Sequence, residues 1–221
     1  RHIDWRAVGR MDKYYVKRFE EEAEVRAYVV VDASGSMGYG RQDQLTKLDF
    51  AKLLAAALSY LLLRQHDPAG LLIAKDEGPL YIPPRGGAAH LGDLCRALED
   101  TPAQGRTELS DALLLLSETV RRRSIIVVLS DLLPAPPLDD VDEYAEYLRK
   151  QSVLLRAKLC SLRAQKHDVI VLQTLDADEL ELPWSNLTWF EEVEPGLPSQ
   201  ERLFVDPGDV RKAYLDELQQ F

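Results

Sequence analysis

The sequence has few cysteines, no excess of positive charge and no long apolar run, and each shortage excludes a class of protein. Its 2 cysteines, Cys95 and Cys160, lie in apolar helical patterns without paired or metal-binding spacing, which predicts buried free thiols in a reducing cytoplasm. The 27 Lys and Arg against 37 Asp and Glu give a net charge of -10, which disfavours nucleic acid and anionic membranes as partners. The longest apolar run, Leu53 to Leu63, is too short to span a membrane.

What the sequence does contain is an alternation of β-branched apolar runs with amphipathic helical patterns. Strands are predicted at Val25–Val31, Ala69–Ala74, Leu80–Ile82, Ser124–Asp131 and Val169–Gln173. Helices are predicted at about Leu48–Gln65, His90–Leu98, Glu108–Arg121 and Val141–Gln165. This order predicts an α/β fold with a doubly wound, mostly parallel sheet and helices on both faces. We expect Leu80–Ile82 to be a short edge strand closed by two prolines, and Val169–Gln173 to be buried.

The ends of the chain differ in composition from this alternating centre. Residues 1–24 mix aromatic and basic residues with turn residues, which predicts an extended arm or hairpin. We assign residues 25–221 to the main domain, in which residues from about 187 to 221 form a C-terminal hairpin and a final helix. We find no linker long enough to separate two domains.

Polar side chains follow two of the predicted buried strands at the points where those strands end. Asp32 and Asp131 come at the ends of apolar runs where neither periodicity requires a carboxylate. Ser34 and Ser36 lie in the loop after Asp32, and Thr107 lies at a junction between loop and helix. Because ligands gather outside the carboxyl ends of parallel strands, we expect these five side chains to lie close together.

Two carboxylates and three hydroxyls make an all-oxygen set, and oxygen is the ligand that a hard divalent cation such as Mg²⁺ prefers. Neutral hydroxyls in direct contact with the ion would leave its charge incompletely neutralised. The sequence therefore predicts a site for Mg²⁺, or Mn²⁺, at which an acidic side chain of a partner can replace a bound water.

This constellation resembles the metal-ion-dependent adhesion site of von Willebrand factor A domains, in which Asp-x-Ser-x-Ser is followed by a distant Thr and Asp. The motif here is Asp32-Ala33-Ser34-Gly35-Ser36, with Thr107 and Asp131 as the later members. The resemblance implies that the three hydroxyls contact the metal directly and that the two carboxylates do so directly or through water.

Nearly the whole chain resembles the bacterial family called domain of unknown function 58, whose members contain a von Willebrand A-like domain. The matching segments are Arg1–Arg6, Tyr15–Glu22, Asp32–Met37, Leu63–Gln65, Pro83–Gly87, Arg121–Ser124 and Val210–Tyr214. Genes of this family typically lie beside one for a MoxR-type AAA+ ATPase. The resemblance therefore implies a non-enzymatic adaptor or chaperone-like domain that binds such an ATPase, and a final helix, Asp209 to Phe221, that shifts when the metal binds.

Other interpretations of the same residues stay open at this stage. Asp32, Ser34 and Ser36 can form a simple helix-capping turn, and Thr107 can be a helix N-cap. In a third interpretation the metal site is vestigial and the domain is only a scaffold.

A serine hydrolase would use Ser36, Asp131 and His167, which follow in the hydrolase chain order. Against it, position 34 is Ser where the nucleophile turn requires Gly, and His167 precedes its strand and so should lie at the opposite edge of the sheet.

Overall fold

The computed structural model describes residues 25–41, 43–107, 109–133, 141–184, 186–191, 202–208 and 211. The strands are β1 (Arg26–Asp32), β2 (Ala69–Ala74), β3 (Leu80–Arg85), β4 (Ser124–Ser130), β5 (Asp168–Gln173), β6 (Thr188–Glu191) and β7 (Arg202–Val205). The helices are α1 (Lys47–Arg64), α2 (Ala88–Glu99), α3 (Leu109–Thr119), α4 (Val141–Ala164) and α5 (Ala177–Glu181). A 3-10 turn covers Gly35–Gly38.

Five strands form one sheet in the order β3-β2-β1-β4-β5. All neighbouring strands are parallel except β3, which runs antiparallel to β2. The central strand β1 is buried from Ala27 to Asp32 because both of its faces are covered by helices. The predicted doubly wound, mostly parallel α/β fold is confirmed.

Two hydrophobic cores lie on opposite faces of the sheet. Leu48, Ala51 and Leu94 from α1 and α2 pack on one face, against Val29 and other strand residues. Helices α3 and α4 cover the other face, where Leu113 and Leu162 are among the fully buried side chains. Alternate residues of β1 point into the two cores, as the two-residue period of a strand requires.

Two predictions about the sheet edges are wrong. Strand β3 does not close before Pro83 and Pro84 but continues through them to Arg85, beside an irregularity in the β2 pairing. An edge strand tolerates proline because an N–H that faces away from the sheet has no ladder partner to lose. Strand β5 is not buried: Ile170 is 47% exposed, because this strand is the other edge of the sheet.

The cysteine prediction is confirmed in one respect and wrong in the other. Both cysteines are free, but Cys95 is half-buried and Cys160 is exposed. In the part of the chain that the structure describes, no helix combines the length and the apolar character needed to cross a membrane.

The C-terminal hairpin is confirmed, because β6 and β7 pair antiparallel and Trp189 lies against Phe204 with ring centroids 4.7 Å apart. Pro207, Gly208 and Arg211 have helical backbone conformation. The arm over residues 1–24 and most of the final helix, Asp209 to Phe221, lie outside the described residues.

Candidate functional site

The candidate site lies at the carboxyl end of the sheet, between β1 and β4. The connection after β1 leads to a helix on one face of the sheet, and the chain after β4 reaches α4 on the other face. Loops that leave a sheet toward opposite faces separate at this edge, and the gap between them is the usual ligand position in doubly wound folds. Asp32 ends β1 here, and Asp131 directly follows β4.

Asp32 is the centre of the hydrogen-bond network at this edge. Its Oδ1 accepts hydrogen bonds from the Ser34 N–H (3.0 Å) and the Thr107 hydroxyl (2.9 Å). Its Oδ2 accepts one from the Ser130 hydroxyl at 2.6 Å. Burial raises the pKa of Asp32 above its ordinary value, and the charge of Asp131 raises it further, although these hydrogen bonds act in the opposite direction. The folded protein thus holds a buried carboxylate that its hydrogen bonds stabilise incompletely.

Two loops meet at this carboxylate: one carries Thr107, and the other carries Ser34 and Ser36. The Oγ atoms of Ser34 and Ser36 lie 3.1 Å apart, on either side of the start of the 3-10 turn. The Gly35 N–H donates to the Gly105 carbonyl at 3.0 Å, which joins this turn to the loop that carries Thr107. The Thr107 hydroxyl donates its hydrogen bond to Asp32, so the lone pairs of the Thr107 oxygen remain available to a further ligand.

Asp131 is fully buried, and both of its carboxylate oxygens have protein partners. Oδ1 accepts a hydrogen bond from the Leu133 N–H at 3.0 Å, and Oδ2 lies 2.8 Å from the Lys47 ammonium. Leu132, which stands between Asp131 and Leu133 in the chain, adopts a left-handed conformation with φ of 63°. Strain of this kind at a non-glycine residue persists where the surrounding contacts fix the backbone. Here the Leu132 N–H donates to the Ser130 hydroxyl.

Lys47 was not identified from the sequence as a site residue. Its side chain is 3% exposed, and its ammonium also lies 2.6 Å from Glu179 Oε1. Burial, the largest influence, acts to lower the pKa of Lys47, but Asp131 and Glu179 together raise it above the ordinary value, so the ammonium stays charged.

A sequence signal for Lys47 exists. With Ala51, Ala55 and Ser59 it forms a buried stripe at every fourth position of α1, where a lysine requires a buried partner. The sequence also marks Glu179 as part of a local structure, because it stands three residues after Asp176 and completes a capping box at the start of α5. Ser130, the third residue that the sequence did not assign to the site, was visible only as the last residue of an apolar run.

Acidic side chains outnumber basic ones in the cluster. Asp32, Asp131 and Glu179 contribute three carboxyl groups, and Lys47 contributes one ammonium. With all three carboxyl groups ionised, one divalent cation would neutralise the remaining charge, and a bound cation would oppose the protonation of Asp32 that burial favours. No group of three or more His, Cys, Asp and Glu side chains in the described part of the chain is arranged to hold a metal. A cation here would therefore depend on the hydroxyls of Ser34, Ser36 and Thr107, and this donor set fits Mg²⁺ or Mn²⁺.

A sequence model of the family described as "Protein of unknown function DUF58" matches residues 1–219. The chain belongs to the DUF58 family. The resemblance drawn from the sequence motifs is therefore confirmed.

Proteins similar to this DUF58 chain include the uncharacterized protein Rv1480 of Mycobacterium tuberculosis, which is 28% identical over 210 residues. That alignment covers 94% of this chain and 60% of the relative, so the chain spans about three fifths of the length of its mycobacterial relative.

Two solved structures show limited similarity to the DUF58 chain. An aerotolerance-related membrane protein from Bacteroides fragilis has a TM-score of 0.48 and 17% identity, over 89% of this chain and 87% of that one. The SpRpn10 VWA domain has a TM-score of 0.42 and 11% identity, over 89% of this chain and 95% of its own.

Helix α5 is fastened beside the site by a second ion pair. Arg41 pairs with Asp178 through its Nε at 3.0 Å and through a second guanidinium nitrogen. This contact raises the pKa of Arg41 and lowers that of Asp178. The Tyr39 hydroxyl donates to the same carboxylate at 3.2 Å. In this DUF58 chain the loop between β1 and α1 thus contacts α5 through Tyr39 and Arg41, in addition to the contact between Lys47 and Glu179.

His167 lies at the edge of the sheet opposite to Ser36. It directly precedes β5, whose Asp168 pairs with Ile125 near the start of β4, whereas Asp131 follows the end of β4. A strand of this length separates the two edges by roughly 20 Å. His167 therefore cannot act as a base for Ser36 in this fold.

The buried His167 makes the stability of the protein depend on pH. It is 4% exposed, and burial lowers its pKa below the ordinary value. The unfolded chain then binds a proton more readily than the folded one, so the free energy of unfolding should fall as pH drops below about 6.5. One such group contributes at most about 1.4 kcal/mol per pH unit.

We expect His167→Leu to reduce the slope of unfolding free energy against pH between about pH 6.5 and 5, measured by urea denaturation. The control is His66→Asn, which replaces an exposed imidazole whose φ of 64° asparagine tolerates. An equal slope in wild type and His167→Leu would contradict the assignment of a neutral buried imidazole.

Proposed function

We propose that this DUF58 chain is a non-enzymatic protein-interaction domain of von Willebrand A type whose binding depends on a divalent cation. Mg²⁺ or Mn²⁺ would be held by Asp32, Ser34, Ser36, Thr107 and Asp131. The observation that carries the proposal is a cluster of three carboxyl groups and several hydroxyls that contains a single ammonium. A cation held largely by neutral oxygens attracts an external carboxylate, so the partner would supply an acidic side chain.

The partner proposed is a MoxR-type AAA+ ATPase, with the domain acting as its adaptor or chaperone-like component. Support comes from membership in the DUF58 family and from the doubly wound sheet, whose ligand edge carries the acidic and hydroxyl side chains. We propose the cytoplasm as the compartment, in keeping with two free cysteines of which one is exposed.

The test compares Thr107→Ala with wild type in two assays. Calorimetric titration with Mg²⁺ and Mn²⁺ should show one site in wild type and binding weakened at least about tenfold in Thr107→Ala, because a ligand oxygen is lost. Binding to a purified MoxR-type ATPase should weaken in parallel. Because the ATPase itself holds Mg²⁺ with its nucleotide, the variants are compared at constant Mg²⁺ rather than by chelation.

The matched control is Thr119→Ala, since Thr119 lies at the far end of α3 and away from the site. Equal cation binding by wild type and Thr107→Ala would overturn the metal site. If Thr107→Ala loses cation binding but still binds the partner, the result would instead favour a scaffold with a vestigial metal site. Stoichiometric labelling of Ser36 by a fluorophosphonate probe would favour a hydrolase.

A further inference from the structure

The contacts of Asp131 pose a question that the proposed metal site does not answer. One of its oxygens is engaged by the Leu133 N–H and the other by the Lys47 ammonium at 2.8 Å. A cation that uses the charge of Asp131 must therefore share that carboxylate with a positive charge already in place.

We propose that Lys47 is an internal counter-cation that competes with the divalent ion for Asp131, and that Glu179 weakens this competition by sharing the ammonium. Two features of the structure favour competition over a purely structural ion pair. The ammonium is almost completely buried, so solvent screens its charge little. It also has two carboxylate partners, at 2.8 and 2.6 Å, so its hold on Asp131 can be varied without removing the lysine.

The same arrangement determines how strongly the site attracts a cation. The positive charge of Lys47 lowers this attraction, but it also gives the fully buried Asp131 a charged partner in the folded protein. Glu179 is contributed by α5, a short helix outside the strands that carry the metal ligands. The affinity for the cation would therefore depend on whether α5 keeps its carboxylate on Lys47.

This inference rests on the proposed function, since it requires a cation at the site. Its test uses two substitutions with opposite expected signs. Lys47→Met removes the competing charge and should tighten Mg²⁺ and Mn²⁺ binding about tenfold or more. Glu179→Gln leaves Asp131 as the charged partner of the ammonium and removes one attracting charge, so binding should weaken about threefold to tenfold.

The control is Arg96→Met, which breaks an exposed ion pair with Asp93 within α2 and changes no contact of Asp131 or α5. We expect it to change cation affinity less than about twofold. All three variants and wild type are titrated with each metal by calorimetry, after circular dichroism has verified their folding.

The outcomes separate the two proposals. If wild type binds a cation but Lys47→Met binds it equally or more weakly, the lysine only positions Asp131, and the counter-cation proposal is overturned while the metal site stands. If Lys47→Met fails to fold, the test rests on Glu179→Gln. A cation affinity of Glu179→Gln equal to that of wild type then overturns the proposal. If neither wild type nor any variant binds a cation, the proposed function itself fails and this inference with it.

Discussion

Replacing Asp32 with asparagine should stabilise the cation-free protein and abolish its binding of Mg²⁺ and Mn²⁺. Asparagine has the shape of aspartate, and its Oδ1 can accept the same hydrogen bonds from the Ser34 N–H and the Thr107 hydroxyl. Its amide can donate to the Ser130 oxygen. What disappears is a buried negative charge that the raised pKa shows to be unfavourable in the folded state. The gain should be about 1 kcal/mol, or roughly 2–4 °C in thermal midpoint.

A gain in stability without cation, together with a loss of cation binding, distinguishes a functional carboxylate from a structural one. The thermal midpoint is measured with chelator and with excess Mg²⁺ for wild type and Asp32→Asn. A bound cation should raise the midpoint of wild type by mass action, and the variant should show no such rise. Asp93→Asn, an exposed change in α2, is the control and should leave both values unaltered. A lower midpoint in chelator together with a retained Mg²⁺ response would contradict the proposed role of Asp32.

The sheet was predictable from the sequence because its central strands are continuous β-branched runs that only a buried strand explains. The bounds of β2 were predicted without error, and those of β1 and β4 to within a residue. The edges were not predictable to the same degree. The apolar run of β5 carries no information about whether a helix covers it, and Ile170 is exposed although its sequence resembles that of a core strand. At β3, two consecutive prolines predict the end of a strand, because proline cannot donate a backbone hydrogen bond to a neighbouring strand. On an edge strand an outward-facing residue does not need that hydrogen bond, so the strand continues.

The candidate site was predicted only in part. Sequence motifs and the parallel-sheet rule identified Asp32 and Asp131 and the three hydroxyls around them. They did not identify the partners of those side chains, because Lys47 and Glu179 reach the cluster through tertiary contacts of 84 and 132 residues in sequence separation. A buried stripe on α1 marks Lys47 as unusual, but only the fold determines which carboxylate it meets.

Gly105→Ala should destabilise the protein and weaken cation binding, although Gly105 contributes no side chain to the site. Gly105 has a φ of 71°, and an added Cβ would lie 2.5 Å from the Cβ and Cγ atoms of Asp76. The left-handed conformation costs about 1–2 kcal/mol and the overlap about 1–3 kcal/mol more, so the thermal midpoint should fall by roughly 4–20 °C. The Gly105 carbonyl accepts the Gly35 N–H, so any shift there also moves the Ser34 to Ser36 turn relative to Thr107.

Two other glycines separate the causes of this effect. Gly78 has a φ of 104° with open space around it, so Gly78→Ala measures the backbone cost alone. Gly92 lies within α2, where an added Cβ makes only an ordinary contact, so Gly92→Ala should stabilise by about 1 kcal/mol. Of the three substitutions, we expect only Gly105→Ala to weaken Mg²⁺ binding in calorimetry, because Gly105 is the one of these three glycines that joins the two ligand loops. If Gly78→Ala weakened the cation affinity equally, the loss would reflect general destabilisation, and the contact between Gly35 and Gly105 would not position the hydroxyls.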